Sequence, residues 1–137
     1  MVDINNIPRV GVMFILKKDD KILMLKRKGS HASGTWAFVG GHLDFMETVE
    51  KCVARECLEE TNIKVKNVEI LGITQDFYKE ENKHYITIVT KCEYDSGELK
   101  IMEPHKCDAM DWFDINNIPS PLMLSTENTI KDFKRYL

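Results

Sequence analysis

Residues 41–63, GHLDFMETVEKCVARECLEETNI, read as a loop, a helix and a second loop, and the rest of the chain is interpreted around them. We predict the helix over about residues 47–60, with one apolar arc that can pack on a core. Another arc carries Glu56, Glu59 and Glu60 in the last turn and a half. Negative charge at this end opposes the helix dipole, and like charges three or four residues apart repel. We infer that function, rather than stability, places these carboxylates together.

A cluster of this kind suits a hard divalent cation. Mg²⁺ and Mn²⁺ prefer oxygen ligands, and a bound cation relieves the repulsion between carboxylates. Arg55 lies beside the cluster and can hold one carboxylate in a bidentate pair that fixes its direction. The alternative is a solvated acidic helix face with no ligand. From these residues alone both interpretations stay open.

Composition bounds the class of protein. A chain of 137 residues is long enough to bury a core without staples, and we expect a single domain over residues 1–137. A net charge of -3 argues against a binder of nucleic acid polymers or of membrane surfaces, since both need a broad basic face. There is no signal-peptide pattern and no apolar run near the about 18 residues of a membrane span. We therefore predict a cytoplasmic protein whose four cysteines are reduced and fill the core.

Strands are predicted on both sides of the helix. Apolar and alternating runs between turn residues place them at residues 9–17, 21–28, 35–39, 65–78, 84–94, 98–102 and 109–113. The first two form a hairpin, and the run 65–78 is one long strand or two short ones. A second helix begins at Ser125 or Thr126 and continues to about Tyr136. The hexapeptide DINNIP occurs at residues 3–8 and 114–119, and each copy is predicted to be a helical turn that its proline ends.

Two features upstream of the helix are compatible with an anionic ligand. Lys26, Arg27 and Lys28 form a basic cluster just before a glycine-containing loop. Gly40 and Gly41 allow the backbone to approach a ligand closely. The alternatives are a solvated strand end and an ordinary turn.

Gly41, Glu47 and residues 55–63 together resemble the signature of the Nudix hydrolase family, G-x5-E-x7-R-E-U-x-E-E-x-G-U, in which U is aliphatic. All of its charged positions match, whereas Cys57 and Asn62 replace an aliphatic residue and a glycine. Both are physically tolerable, since cysteine packs like a small apolar residue and asparagine can end a helix in the left-handed conformation. The resemblance extends over roughly residues 9–120. Further segments that carry it are LKRKGS, TWAFVGGHLDFMET, ENKHYITIV and EPHKCDAMDWF.

The resemblance implies an α/β/α sandwich with a mixed central sheet and Mg²⁺-dependent attack of water on a nucleoside diphosphate linked to another group, with Mn²⁺ as a substitute. It implies metal ligation by the Gly40 carbonyl, Glu56, Glu59 and Glu60, with Glu103 as a weaker candidate whose alternative is a solvent-facing edge charge. One glutamate of the helix is the general base. Arg55 orients a glutamate, while Gly41 and Glu47 are structural.

The same resemblance implies a substrate site. Arg27 resembles the phosphate-binding arginine of the family, with Lys28 as a helper. Phe38, His42 and Thr87 resemble the wall beside the base, although Phe38 and Thr87 could equally be ordinary core. Relatives also suggest a homodimer.

Three functions remain open. The first is a nucleoside triphosphate diphosphatase that releases a monophosphate and pyrophosphate from normal or damaged nucleotides. The second keeps the site but takes ADP-ribose, a dinucleoside polyphosphate or a nucleotide sugar. The resemblance places the substrate markers of the family's subclasses at residues 75–80. The lack of a proline there weakens ADP-ribose, and Tyr78 lies near the position of a tyrosine associated with dinucleoside polyphosphates. The third is a non-catalytic nucleotide sensor, against which the retained carboxylates argue.

Overall fold

The centre of the fold is a hairpin that is buried on both faces. In the computed structural model, which describes residues 6–29 and 31–137, β1 spans Arg9–Lys18 and β2 spans Lys21–Arg27. They pair antiparallel, as predicted. Successive side chains of a strand point to opposite faces, so two separate cores share these strands. Val12, Phe14 and Leu16 belong to one core, and Met13 and Ile15 to the other.

Five further strands complete a seven-stranded mixed sheet. They are β3 (Trp36–Ala37), β4 (Val39–His42), β5 (Lys64–Tyr78), β6 (Lys83–Ser96) and β7 (Cys107–Asp114). β1 runs parallel to β6, whereas the remaining pairs, including β1 with β4 and β5 with β6, are antiparallel. The segment that the sequence predicted as one strand at 35–39 is divided between β3 and β4, and the run 65–78 is one long strand.

The first helix, α1, spans Val49–Thr61. Thr48 accepts a hydrogen bond from the Lys51 amide, which explains why the helix begins two residues later than predicted. Asn62 ends it in the left-handed conformation, with φ at 65°, and its amide donates to the Leu58 carbonyl at 3.1 Å. Cys52, Val53 and Cys57 are the side chains of α1 in the first core.

The second helix, α2, spans Leu124–Phe133 and continues as a short 3-10 turn over Lys134–Tyr136. Phe133 and Ile130 pack in the second core. One helix therefore covers each face of the sheet, which confirms the predicted α/β/α sandwich. No helix in the described part of the chain is long and apolar enough to cross a membrane.

Two local predictions are wrong. Residues 98–102 are not a strand, because the amides of Lys100 and Met102 donate to the carbonyls of Thr61 and Glu60 at the end of α1. Residues 115–119 form a non-helical turn. Asp114, which precedes it, accepts hydrogen bonds from the amides of Asn116 and Asn117. Residues 3–5 of the other copy of the hexapeptide lie outside the described residues. All four cysteines are free and buried, as predicted.

Candidate active site

Glu56 and Glu60, one turn apart on α1, face a cavity of about 440 Å³ that Glu103 also lines. The Oε2 atom of Glu60 is buried and has no hydrogen-bond partner among residues 6–29 and 31–137. Burial, followed by the charges of Glu56 and Glu103, raises the pKa of Glu60 to about 8. Burial also raises the pKa of Glu56. A charged carboxylate at Glu60 therefore has no hydrogen-bond donor at Oε2, and the charges of Arg27 and Lys106 offset its burial only in part.

Arg55 connects the loop before α1 to these carboxylates. Its Nε and Nη2 atoms donate to the two oxygens of Glu47 at 2.7 and 2.9 Å, and Nη1 donates to Glu56 at 2.7 Å. The hydrogen bond to Arg55 lowers the pKa of Glu47 to about 2, and the same bond raises the pKa of Arg55. Glu47 also accepts from the Asp44 amide at 3.1 Å. Bracing by Glu47 and orienting by Arg55 stay predictions, and these hydrogen bonds are the contacts that both roles would use.

Glu59 does not line the cavity of Glu56 and Glu60. Its side chain is 53% exposed and accepts from Arg55 Nη1 at 3.3 Å. Of the three predicted carboxylates, Glu56 and Glu60 therefore line the cavity together, whereas Glu59 lies outside it. Ligation by Glu59 stays a prediction that requires a rotation of its side chain.

The two glycines of β4 hold the strand against its neighbours. A methyl group on Gly41 would collide with the carboxylate of Glu56, and one on Gly40 would lie 2.5 Å from the Val12 carbonyl oxygen. Both residues line the cavity. The close approach of backbone explains why glycine is needed at position 40, whereas a side chain at position 41 would displace the Glu56 carboxylate.

These features fit a divalent cation. In the part of the chain that the structure describes, no three His, Cys, Asp or Glu side chains are already arranged around a metal position. Mg²⁺ does not require such a cage, because it keeps several waters and binds through one or two carboxylates and substrate phosphates. The unpartnered oxygen of Glu60 and its proximity to Glu56 are the chemistry that such a cation would satisfy.

Cationic side chains line the same cavity. Arg27 donates from Nε to the His31 carbonyl at 3.2 Å, which directs the guanidinium along the wall. Lys28 lies 3.7 Å from Asp108, and Lys106 lies 3.6 Å from Glu103. The cavity thus combines carboxylates and cations, as a site for a metal and a phosphate requires.

A second cavity of about 100 Å³ adjoins the first and has aromatic walls. The predicted base-side residues Phe38, His42 and Thr87 all line it. Tyr85 lies between His42, whose Nε2 atom is 3.2 Å from the Tyr85 hydroxyl, and Tyr78, at 6.0 Å between ring centres. The two cavities have several lining residues in common. These are Arg27, His31, Gly40, Gly41 and His42.

Sequence reasoning missed part of this second cavity. Tyr85 alternates with Thr87 along β6, so both side chains point to one face, and that spacing could have identified Tyr85. Asp76 in β5 is fully buried beneath Thr87. Most of β5 is exposed or half-buried, and no local pattern marked Asp76 as one of its two buried residues.

A family model for the NUDIX domain matches residues 5–133. The chain belongs to the Nudix family. The likeness implied by residues 41–63 is therefore confirmed, together with the hydrolase class. Nudix hydrolases generally use a divalent metal such as Mg²⁺. The individual site residues stay predictions, which the geometry above makes specific.

This Nudix chain is similar to known proteins that have different activities. It is 38% identical over 129 residues to an ADP-ribose pyrophosphatase of Methanocaldococcus jannaschii, covering 94% of this chain and 75% of that protein. It is 29% identical over 130 residues to the NAD-capped RNA hydrolase NudC of Vibrio atlanticus, covering 90% of this chain and 46% of NudC. This Nudix chain thus spans less than half of that relative.

Among solved structures, the MutT NUDIX hydrolase of Burkholderia pseudomallei superposes with a TM-score of 0.86 at 31% identity, covering 92% of this chain and 98% of that one. This likeness confirms the Nudix fold. The nucleoside triphosphate specificity, the homodimer and the cytoplasmic location stay predictions.

Proposed function

We propose that this Nudix hydrolase cleaves the phosphoric anhydride bond of a nucleoside diphosphate joined to a second group, with ADP-ribose as its substrate. Water and ADP-ribose would give AMP and ribose 5-phosphate. One observation carries the proposal: the cavity of Glu56 and Glu60, lined also by cations, opens directly onto an aromatic cavity of a kind that suits a base. The 38% identity to an ADP-ribose pyrophosphatase supports the choice of leaving group.

The side chains would divide the work as follows. Glu56 and Glu60 would hold Mg²⁺, and the bound ion would supply positive charge beside the diphosphate and favour ionisation of water. Arg55 fixes the direction of Glu56, and Arg27 faces the phosphates. A carboxylate of α1 would accept the proton of the water as the new phosphorus–oxygen bond forms, and the bond from that phosphorus to the bridging oxygen would break to leave AMP and ribose 5-phosphate. The Nudix signature leaves the identity of that carboxylate open among Glu56, Glu59 and Glu60.

A nucleoside triphosphate is the second candidate substrate. The cations Arg27, Lys28 and Lys106 line the cavity and could neutralise a third phosphate. The absence of proline at residues 75–80 also favours this candidate over ADP-ribose. The products would then be a nucleoside monophosphate and pyrophosphate.

Product identification separates the two candidates. The purified protein is incubated with Mg²⁺ and either ADP-ribose or ATP, and the products are resolved by anion-exchange chromatography. We expect AMP and ribose 5-phosphate in equal amounts, with a kcat/KM for ADP-ribose at least about tenfold above that for ATP. Faster release of pyrophosphate from ATP would favour the second candidate, and no hydrolysis of either would overturn both.

A further inference from the structure

A buried carboxylate beneath the aromatic cavity fixes the direction of one hydroxyl group. Asp76 in β5 is 0% exposed and accepts three hydrogen bonds, one each from β5, β6 and α2. Thr74 donates at 3.1 Å, Thr87 at 2.6 Å and Asn128 at 2.8 Å. Asp76 is therefore a fully surrounded acceptor within the core.

The bond to Asp76 determines what Thr87 can offer a ligand. A threonine hydroxyl has one hydrogen to donate and two lone pairs that accept. Thr87 gives its hydrogen to Asp76, and the residue also lines the aromatic cavity. Toward the cavity, Thr87 can therefore act only as an acceptor.

A second acceptor faces the same small space above Gly11. A methyl group on Gly11 would lie 3.7 Å from the Thr87 hydroxyl oxygen and 3.8 Å from the Gly41 carbonyl oxygen. It would also lie 3.6 Å from the ring of Tyr85. Two acceptor oxygens and one aromatic ring thus bound a volume that only the absent side chain of Gly11 keeps open.

We propose that Thr87, held by Asp76 as an acceptor, selects nucleotides whose base presents an amino group to the aromatic cavity. An amino group has two hydrogens and can donate to both oxygens. A base that lacks a donor at this point covers both oxygens without adding a hydrogen bond to either, which costs binding free energy. The selection rests on the proposed function, because it places the base in this cavity and the diphosphate beside Glu56 and Glu60.

The test compares adenine with unsubstituted purine, which differs only by loss of the amino group. We expect kcat/KM for ADP-ribose to exceed that for its purine counterpart at least about tenfold, because sites built to bind a donor reject analogues without it. Equal values would overturn the selection. Product formation itself, measured in the same assays, reports separately on the proposed function.

Binding measurements keep the question decidable if neither compound is hydrolysed. Isothermal titration calorimetry with AMP and with purine riboside 5′-monophosphate uses no turnover. Tighter binding of AMP by at least about tenfold supports the selection. Equal affinity, or no binding of either, overturns it.

Two variants locate the selection at the Thr87 oxygen. Thr87→Val removes the oxygen, and we expect the adenine-to-purine ratio to fall toward one, whereas Thr87→Ser keeps the ratio. Thr74→Val is the matched control, because it removes a hydrogen bond to the same carboxylate from a side chain that does not line the cavity. A ratio lost equally in Thr74→Val and Thr87→Val would contradict the assignment.

Gly11→Ala is a further variant should Thr87→Val fail to fold. Its methyl group makes only ordinary contacts, at 3.6 Å or more, so the fold should tolerate it. The methyl group would fill the space beside the two oxygens. We expect a higher KM for ADP-ribose and a lower ratio, and an unchanged ratio would contradict the proposal.

Discussion

Glu60 is held with its carboxylate removed from water and with like charges beside it. Its pKa of about 8 compares with an ordinary value of 4.5, with burial as the main cause. Such a group favours a proton or a cation over the free anion. At the scale of the residue, this preference makes the free energy of unfolding depend on pH and on bound metal.

The pH dependence of stability follows from this shift. Between about pH 4.5 and 8, folded metal-free protein keeps a proton on Glu60 that the unfolded chain has lost. Because the folded state then binds more protons, its free energy of unfolding falls as pH rises through this window, by on the order of 3–5 kcal/mol. Thermal unfolding in EDTA measures it.

The matched variant for this prediction is Glu60→Gln, which cannot ionise. The difference in stability between Glu60→Gln and the wild type should grow from pH 5 to pH 8 in favour of the variant. A constant difference would show that the folded and unfolded states hold Glu60 with the same pKa.

Arg55→Lys tests the positioning of Glu56. A lysine has a single nitrogen and cannot bind both oxygens of Glu47 while it also donates to Glu56. Loss of such support around a metal ligand typically costs 10–100-fold, and we expect kcat/KM to fall by about that factor. Glu50→Gln, at an exposed position on the same helix, is the control and should leave kcat/KM within about twofold. Unchanged activity in Arg55→Lys would remove the orienting role.

Sequence spacing predicted the residues of the metal site better than those of the base site. Glu56 and Glu60 are four residues apart on one helix, so local geometry alone places them together. Glu59 lies outside the pair, with its carboxylate on Arg55 and more than half of its side chain exposed. Asp76 comes near Thr87 and Asn128 only after β5, β6 and α2 have packed, and no local pattern contains that information.

At the scale of the element, the sequence predicted α1 to within two residues at each end. Asn62 marked its end, whereas the cap at Thr48 was not predicted, so the predicted start was two residues early. The segment 98–102 has the composition of a strand, but its amides bind the end of α1, a choice that tertiary structure makes. Irregular segments that satisfy their hydrogen bonds on a helix are therefore the least predictable elements here.

Gly72 in β5 controls the packing of α2. A methyl group there would lie 2.8 Å from two ring atoms of Phe133, so Phe133 or the helix must shift. We expect Gly72→Ala to lower the free energy of unfolding by about 1–3 kcal/mol, as overpacking usually does. Urea unfolding followed by circular dichroism measures this loss. Gly11→Ala, with ordinary contacts, is the control, and equal losses in both variants would contradict the packing argument.

At the scale of the whole molecule, the resemblance to the Nudix family predicted a helix on each side of the sheet. What the sequence did not predict is the division of the ligand space into a charged cavity and an aromatic cavity with shared walls. That division depends on residues from β2, β4, β6 and the segment before β7 meeting at one end of the sheet. The proposed site depends on this division, because Glu56 and Glu60 on α1 would hold a metal beneath the diphosphate of the nucleotide while its base lies in the second cavity.

The rate of AMP formation from ADP-ribose in Glu60→Gln, with saturating Mg²⁺, tests this claim most directly. We predict a fall of at least about 100-fold relative to the wild type, since loss of a metal ligand removes charge stabilisation from the transition state. We also predict that Mg²⁺ raises the melting temperature of the wild type but not of the variant. Wild-type turnover by Glu60→Gln, or turnover by either protein in EDTA, would contradict the assignment of the site.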